Sequence, residues 1–268
     1  MAFDPETFAE FERSGWDAAA EAYDAFWATL TARVAAPLLD AAGVGAGSRV
    51  LDVACGPGEV ASIAAARGAV VTGVDVSAAM VARASAAHPE ITFREANAEA
   101  LPFPDASFDA AVANFLILHL ADPDRGASEL ARVLVAGGAV ALTSWDHADR
   151  AEVFGLLDAA VERVGAPASG GVPEGPDPFR FADDAELRAL LERAGLADVR
   201  VETVSFEQQL DRDDLWRGVS DGTVRMCAYL RAQSPETRAR IRDAVGELLA
   251  ERDGTIRFSV RLGSGRKP

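Results

Sequence analysis

Lysine is almost missing from this sequence of 268 residues, in which Lys267 is the only one. The 26 Lys and Arg residues face 42 Asp and Glu residues, so the formal net charge is −16. A surface of that sign repels a phosphate backbone, and the only basic run is the terminal GRKP. We therefore expect no nucleic acid as the main ligand.

Cysteine and long apolar runs are scarce as well. Cys55 and Cys227 form no C-x-x-C pair, which excludes a disulfide framework and a thiolate metal motif. No run approaches the roughly 18 apolar residues of a membrane span, and the acidic start MAFDPETFAEFE is unlike a targeting segment. The sequence predicts a cytoplasmic protein with reduced cysteines, no membrane segment and no metal site.

What the sequence does contain is an alternation of short apolar runs with helix-like segments. Between residues 49 and 144 the helix-like segments end at Gly or Pro, a pattern typical of a doubly wound parallel α/β sheet. Right-handed crossovers place helices on both faces of such a sheet. The predicted strands are 49–53, 69–74, 90–94, 108–114 and 138–144.

Helix-like segments also flank this core. We expect four units along the chain: an N-terminal helical cover 1–42, a sheet core 43–210, a helical cap 211–254 and a final core strand 255–268.

Three local features refine this outline. The cap is predicted to break near Gly218, Gly222 and Pro235. The Gly- and Pro-rich segment 165–178 predicts a long loop of the kind that often forms a lid. The last run, TIRFSVRLGSG, alternates apolar and polar residues, which predicts an antiparallel edge strand.

The most informative stretch is VLDVACGPGE, where an apolar strand ends in two glycines around a proline. Glycines at Gly56 and Gly58 let the backbone approach a ligand closely. With Ala61 the turn reads G-x-G-x-x-A, which also fits a dinucleotide site. An acid at Asp52 disfavours a pyrophosphate and suits an ammonium group, or it caps the turn by accepting backbone hydrogen bonds.

Four ordered motifs resemble those of class I S-adenosylmethionine-dependent methyltransferases. They are VLDVACGPGEVA, VTGVDVSAAMVARA, REANAEALPFPDASFD and ELARVLVAGG, spread over residues 48–145. The resemblance implies a Rossmann-like, seven-stranded, doubly wound sheet with an antiparallel last strand, an N-terminal helical cover and a helical insertion before the last strand. It also implies S-adenosyl-L-methionine as the cofactor.

The same resemblance implies roles for individual residues. Asp75 binds the ribose hydroxyls through an acceptor-only carboxylate. Asn97 stands where the family has an acid that faces the adenine amino group, and the backbone of Ala98 meets the adenine ring. Tyr23 resembles an aromatic residue that closes over the methionine end. The predicted cofactor residues are Tyr23, Asp52, Ala54, Cys55, Gly56, Gly58, Asp75, Val76, Met80, Asn97, Ala98 and Asn114.

The acceptor side carries weaker signals. His119 follows the fourth strand end, where open α/β sheets bind ligands, and it is the predicted general base unless it only packs in its turn. His147, after the fifth strand, is the alternative base. Trp216, Met226 and Tyr229 are candidates for an apolar acceptor pocket or for core packing.

These observations predict methyl transfer to O, N or C of a small, partly apolar metabolite of secondary metabolism, by in-line displacement. The alternative is an enzyme of the same fold that binds the same cofactor for a non-methylating cyclisation or elimination. A nicotinamide-dependent reductase and a non-catalytic sensor are the more distant alternatives. The expected partner is the small-molecule acceptor, and a homodimer stays open.

Overall fold

The structure is a computed structural model that describes residues 3–167 and 170–268. In these residues the backbone forms one seven-stranded sheet. Its strands are β1 (Arg49–Val53), β2 (Val70–Asp75), β3 (Thr92–Glu95), β4 (Phe108–Ala113), β5 (Leu134–Trp145), β6 (Ala197–Gln209) and β7 (Thr255–Arg266).

Helices cover both faces of this sheet and its carboxyl end. Several begin at an Asp or Ser whose side chain accepts a hydrogen bond from the first turn, for example Asp4, Ser77 and Asp211. The helices are α1 (Pro5–Thr31), α2 (Ala35–Ala41), α3 (Glu59–Ala66), α4 (Ala78–Ala87), α5 (Pro123–Arg132), α6 (Glu152–Val164), α7 (Asp184–Arg193), α8 (Arg212–Asp221), α9 (Arg225–Arg231) and α10 (Pro235–Ala250).

The strand order is β3-β2-β1-β4-β5-β7-β6. Strands β1 to β5 run parallel, and β7 is antiparallel to both of its neighbours. This confirms the predicted Rossmann-like sheet with an antiparallel last strand. Helices α8, α9 and α10 form the helical insertion between β6 and β7, whereas the division of the chain into four units stays a prediction.

The predicted place of the last strand was wrong. Strand β7 lies between β5 and β6, so β6 is the edge strand. Two of the polar residues that alternate along β7 are satisfied inside the protein, whereas Arg257 is exposed. Ser259 donates to Asp146 Oδ2 at 2.8 Å, and Arg261 Nε donates to the carbonyl of Ala182 at 3.0 Å. At these two positions the alternation reflects internal hydrogen bonds rather than exposure to solvent.

Two boundaries also differ from the sequence prediction. Helix α8 continues through Gly218. The glycine at this position serves packing rather than a helix break, since a side chain there would collide with the Phe26 ring. The helical insertion breaks only at Gly222 and before Pro235. The loop predicted over 165–178 carries no helix or strand where it is described, and its residues 168 and 169 lie outside the described residues.

Apolar side chains fill three buried clusters. Leu130, Leu142 and Leu190 belong to the cluster under α5 and α7, and Leu38 and Val50 to the cluster under α2 and α3. A third cluster, with Leu156 and Ile256, lies between β7 and helices α6 and α10. Within residues 3–167 and 170–268, no helix is both long and apolar enough to cross a membrane.

Candidate active site

A cavity of about 320 Å³ lies at the carboxyl ends of the parallel strands. This is where ligands bind in open α/β sheets. Its floor includes Val53 after β1, Asp75 at the end of β2 and Asn97 after β3. Residues of α1 and α9 form the roof.

The roof helix α1 is fixed to the core by polar contacts with α4. Asp17 Oδ1 accepts hydrogen bonds from Ser77 Oγ at 2.6 Å and from the backbone of Ala79 at 3.2 Å. Farther along the helix, Arg83 and Asp24 form an ion pair at 2.7 Å. These contacts hold α1 across the mouth of the cavity.

The glycine turn after β1 forms one wall. Gly56 has φ +53°, and a Cβ there would point into the cavity, with Tyr23 Cε1 its nearest neighbour at 3.9 Å. Gly58 has φ +103° and does not line the cavity. A Cβ at Gly58 would instead approach the His88 and Phe93 rings at 2.9 and 3.2 Å. Gly56 therefore leaves room for a ligand, and Gly58 leaves room for packing.

Asp75 is the carboxylate at the centre of the floor. Its Oδ2 accepts from the backbone N–H of Gly56 and its Oδ1 from that of Ser77, both at 2.9 Å. Burial raises the pKa of Asp75, although these backbone bonds oppose the shift. Each oxygen keeps lone-pair capacity for a further donor, as a pair of ribose hydroxyls requires.

Asp52 lies behind the turn rather than on the cavity wall. Its side chain is 1% exposed, and neither carboxylate oxygen makes a hydrogen bond of good geometry among the described residues, although the backbone N–H of Ala61 lies close enough to oppose the rise in its pKa. Burial, followed by the nearby Asp75 carboxylate, raises the pKa of Asp52 to about 8. A cation bound in front of the turn would relieve this unpaired acid.

The other predicted cofactor residues converge on the same cavity. Tyr23, Ala54, Val76, Met80, Ala98 and Asn114 all line it. Cys55 lines a recess of about 20 Å³ that shares Tyr23, Ala54 and Gly56 with the cavity, and burial raises the pKa of its thiol. Two side chains already hold partners: Asn97 Oδ1 accepts from the backbone of Glu99, and Asn114 Nδ2 donates to the carbonyl of Thr31.

His119 reaches the cavity from the short turn after β4 and is held by Glu12 of α1. Its Nδ1 lies 3.0 Å from Glu12 Oε2, and Arg225 Nε donates to Glu12 Oε1 at 2.8 Å. Burial opposes ionisation of Glu12, but its contacts with His119 and Arg225 outweigh burial and lower its pKa. An ionised Glu12 accepts only, so the proton lies on His119 Nδ1 and leaves Nε2 with a free lone pair.

Sequence reasoning missed Glu12 and Arg225. One signal was present, because Phe8, Glu12 and Trp16 share a helix face at spacings of four residues. A carboxylate on a buried apolar face needs a charged partner. Nothing in the sequence identified that partner, since Arg225 lies 213 residues away.

The far end of the cavity is an aromatic chamber, here defined as Trp27, Phe115, Trp145, Phe154, Phe179 and Met226, all of which line the cavity. Met226 was a predicted candidate for the acceptor pocket, whereas the five aromatic residues were not. Trp216 and Tyr229 pack against the neighbouring buried cluster and do not line the cavity. The alternative base His147 does not line it either.

The arrangement fits the cofactor that the motifs imply. The cradle at Gly56, the acceptor pair of Asp75 and the unpaired acid Asp52 suit a ligand with a cationic end and vicinal hydroxyls. Aromatic rings at Tyr23 and Trp16, which pack edge to face with centroids 5.5 Å apart, suit a sulfonium charge. In the described part of the chain, no three His, Cys, Asp or Glu side chains are grouped to hold a metal ion.

Comparison with known proteins shows the family of this chain. A family model described as a methyltransferase domain matches residues 51–142. An uncharacterised protein of Mycobacterium tuberculosis is 41% identical over 127 residues, which cover 46% of this chain and 46% of that protein. The chain thus spans about half the length of this relative. A demethylmenaquinone methyltransferase of Thermus thermophilus is 33% identical over 173 residues, covering 59% of this chain and 78% of the relative.

A solved structure shows the same fold. It is a protein of Anabaena variabilis, described provisionally as a methyltransferase from an antibiotic biosynthesis pathway. Its TM-score is 0.63 at 20% identity, and the match covers 87% of this chain and 96% of that one. Together with the sheet order and the ordered motifs, these relatives show that the chain belongs to the class I S-adenosylmethionine-dependent methyltransferase family.

Proposed function

We propose that this protein transfers a methyl group from S-adenosylmethionine to O, N or C of a small, partly apolar metabolite. One observation carries the proposal: ten of the predicted cofactor residues line either the cavity or the recess that shares its wall, and the same cavity continues into an aromatic chamber. A transferase for two substrates needs such a divided, continuous space. The named acceptor of the Thermus relative, demethylmenaquinone, is a small molecule, which supports this class of acceptor.

The cofactor would supply a methyl group already activated on a sulfonium. The protein therefore has to hold, orient and dry the site. Asp75 binds the ribose hydroxyls of the cofactor, and Gly56 lets the backbone approach the cofactor closely. Asn97 and Ala98 hold its adenine ring. Asp52 lies behind the turn that faces the methionine end, where a bound cationic group would favour the ionised form of its buried carboxyl. Orientation of this kind is worth on the order of 7–11 kcal/mol.

His119 acts as the general base where the acceptor carries a proton. Glu12 keeps the proton on Nδ1, so Nε2 accepts the proton of the acceptor and the resulting imidazolium is stabilised by the Glu12 carboxylate. Positioned bases of this kind contribute typically about 10²–10⁴-fold. For an acceptor without a proton, His119 is dispensable, so the size of its effect reports on the acceptor.

The first experiment measures binding and products. We expect calorimetry to show S-adenosylhomocysteine binding and no binding of NAD, which excludes the reductase. With S-adenosylmethionine and a panel of phenols, amines and activated carbon acids, mass spectrometry should show one S-adenosylhomocysteine per methylated product. A changed acceptor with no S-adenosylhomocysteine would instead indicate the non-methylating alternative. Absence of cofactor binding would contradict the proposal outright.

A second experiment tests the base with a matched pair of histidine variants. His119→Ala should lower turnover of a phenolic acceptor at least tenfold and leave the affinity for S-adenosylhomocysteine unchanged. His147→Ala is the control, because His147 does not line the cavity. Normal turnover by His119→Ala would remove this residue from the mechanism.

A further inference from the structure

The aromatic chamber is more ordered than a general apolar pocket. The Phe115 and Trp145 rings are stacked, with centroids 4.1 Å apart and planes inclined by 28°. Phe154 packs edge to face on Trp145 at 5.2 Å, and Phe179 packs on Phe154 at 5.4 Å. Successive edges and faces of this kind form a wall that another flat ring can extend.

The backbone at Phe115 is held in an unfavourable conformation. Its φ is +57°, a region that costs of order a few kT for a residue with a bulky side chain and that glycine adopts freely. The Phe115 N–H is fixed by Thr143 Oγ1 at 2.9 Å, and the same hydroxyl donates to Asn114 Oδ1 at 2.7 Å. Residues held this way cluster at functional sites, so the placement of this ring in the cavity wall points to a use for it.

The charges around the cavity discriminate against anions. Two arginine side chains line it, and both are bonded to other partners, as is His119, whose Nδ1 lies 3.0 Å from Glu12 Oε2. Arg225 bonds Glu12 and the carbonyls of Pro176 and Leu118. Arg13 bonds Glu10 and Asp17.

The acids that line the same cavity include Asp75, Glu99 and Asp158. An anionic acceptor would lose its hydration, enter a cavity lined by several acids and find no uncommitted cation among the described lining residues. An uncharged acceptor loses less hydration energy, is not repelled by the acids and needs no cation.

We propose that the acceptor is a flat, uncharged aromatic ring that stacks on Phe115 and Trp145. This inference rests on the proposed function, because it assigns the chamber to the methyl acceptor. The proposal restricts the partly apolar acceptor of the proposed function to one shape, a flat ring, and to one charge state, uncharged. Saturated rings and carboxylated or phosphorylated acceptors should bind in the chamber less tightly than such a ring.

The test uses three probes of similar outline on the full chain saturated with S-adenosylhomocysteine. At pH 7, 2-naphthol is flat and uncharged, 2-naphthoate is flat and anionic, and decahydro-2-naphthol is uncharged but puckered. Calorimetry should show 2-naphthol binding at least tenfold more tightly than either of the others.

Variants locate the binding. Phe115→Leu and Trp145→Leu should each weaken 2-naphthol binding at least tenfold and leave the affinity for S-adenosylhomocysteine within twofold, which also shows that the variants fold. Phe206→Leu is the matched control, because Phe206 stacks on Phe258 at 5.1 Å and does not line the cavity. It should bind 2-naphthol like the natural protein.

The outcomes separate the two proposals. If S-adenosylhomocysteine does not bind, the proposed function fails, and this inference fails with it. If S-adenosylhomocysteine binds but 2-naphthol does not, or binds no better than 2-naphthoate or the puckered alcohol, the flat uncharged acceptor is refuted and the proposed function stands. Equal 2-naphthol binding by the two chamber variants and the natural protein would also refute it.

Discussion

Replacing Asp52 by Asn is expected to change how stability depends on pH. The buried carboxyl has a pKa raised from 3.8 to about 8. Native protein therefore keeps a proton there that the unfolded chain releases at lower pH. The contribution of this group to stability is complete below the unfolded pKa and is lost as the pH rises through the native pKa. An amide of the same shape does not titrate, so Asp52→Asn lacks this loss.

The magnitude follows from the difference in pKa. At pH 7 the loss amounts to about 4 kcal/mol, because the pH lies roughly three units above the unfolded pKa and each unit corresponds to about 1.4 kcal/mol. At pH 5 the same reasoning gives about 1.6 kcal/mol. The stability of Asp52→Asn relative to the natural protein should therefore rise by about 3 kcal/mol between pH 5 and pH 7.

Urea unfolding followed by circular dichroism at pH 5, 6 and 7 measures this difference. Asp109→Asn is the control for removal of an acid, because Arg49 lowers the pKa of Asp109 and both states are ionised across this range. It should shift stability equally at all three pH values. Parallel pH profiles for Asp52→Asn and the natural protein would refute the assignment of a buried, unpaired acid to Asp52.

Three further outcomes are expected. Gly56→Val should lower the affinity for S-adenosylhomocysteine at least a hundredfold in calorimetry while the circular dichroism spectrum stays native, because its side chain enters the cavity; retained affinity would contradict the cradle. Gly218→Ala should lower the free energy of unfolding by about 1–3 kcal/mol, because its methyl collides with the Phe26 ring. Urea unfolding should show this as a lower midpoint, and an unchanged midpoint would contradict that packing. Glu12→Gln should move part of the His119 proton from Nδ1 to Nε2, because an amide can donate to Nδ1. Imidazole ¹⁵N NMR reads the tautomer, and an unchanged spectrum would contradict the role of Glu12.

The fold and the cofactor half of the cavity could be predicted because their signals are local. Gly56 follows β1 within a few residues and Asp75 ends β2, and parallel strands bring their carboxyl ends to one edge. The sequence order of these motifs therefore carries over directly into space.

The rest of the site depends on contacts between distant parts of the chain. Glu12 is 107 residues from His119, and no local pattern pairs them. The backbone of Phe115 adopts positive φ because Thr143, on a neighbouring strand, holds its N–H. Alternation along β7 was misread because Arg261 is satisfied by partners on other elements. Such pairings depend on the assembled fold rather than on periodicity.

The floor and the roof of the cavity come from different regions of the chain. The glycine turn, Asp75 and Asn97 come from one continuous segment that runs from β1 to just beyond β3, whereas the roof comes from the distant helices α1 and α9. Trp27 of α1 ties these distant parts together by donating to the carbonyl of Gly218 at 2.8 Å. Natural variation or directed evolution can therefore reshape the roof by changing α1 and the insertion as a matched pair, provided that Trp16 and Tyr23 of α1 stay in place for the cofactor.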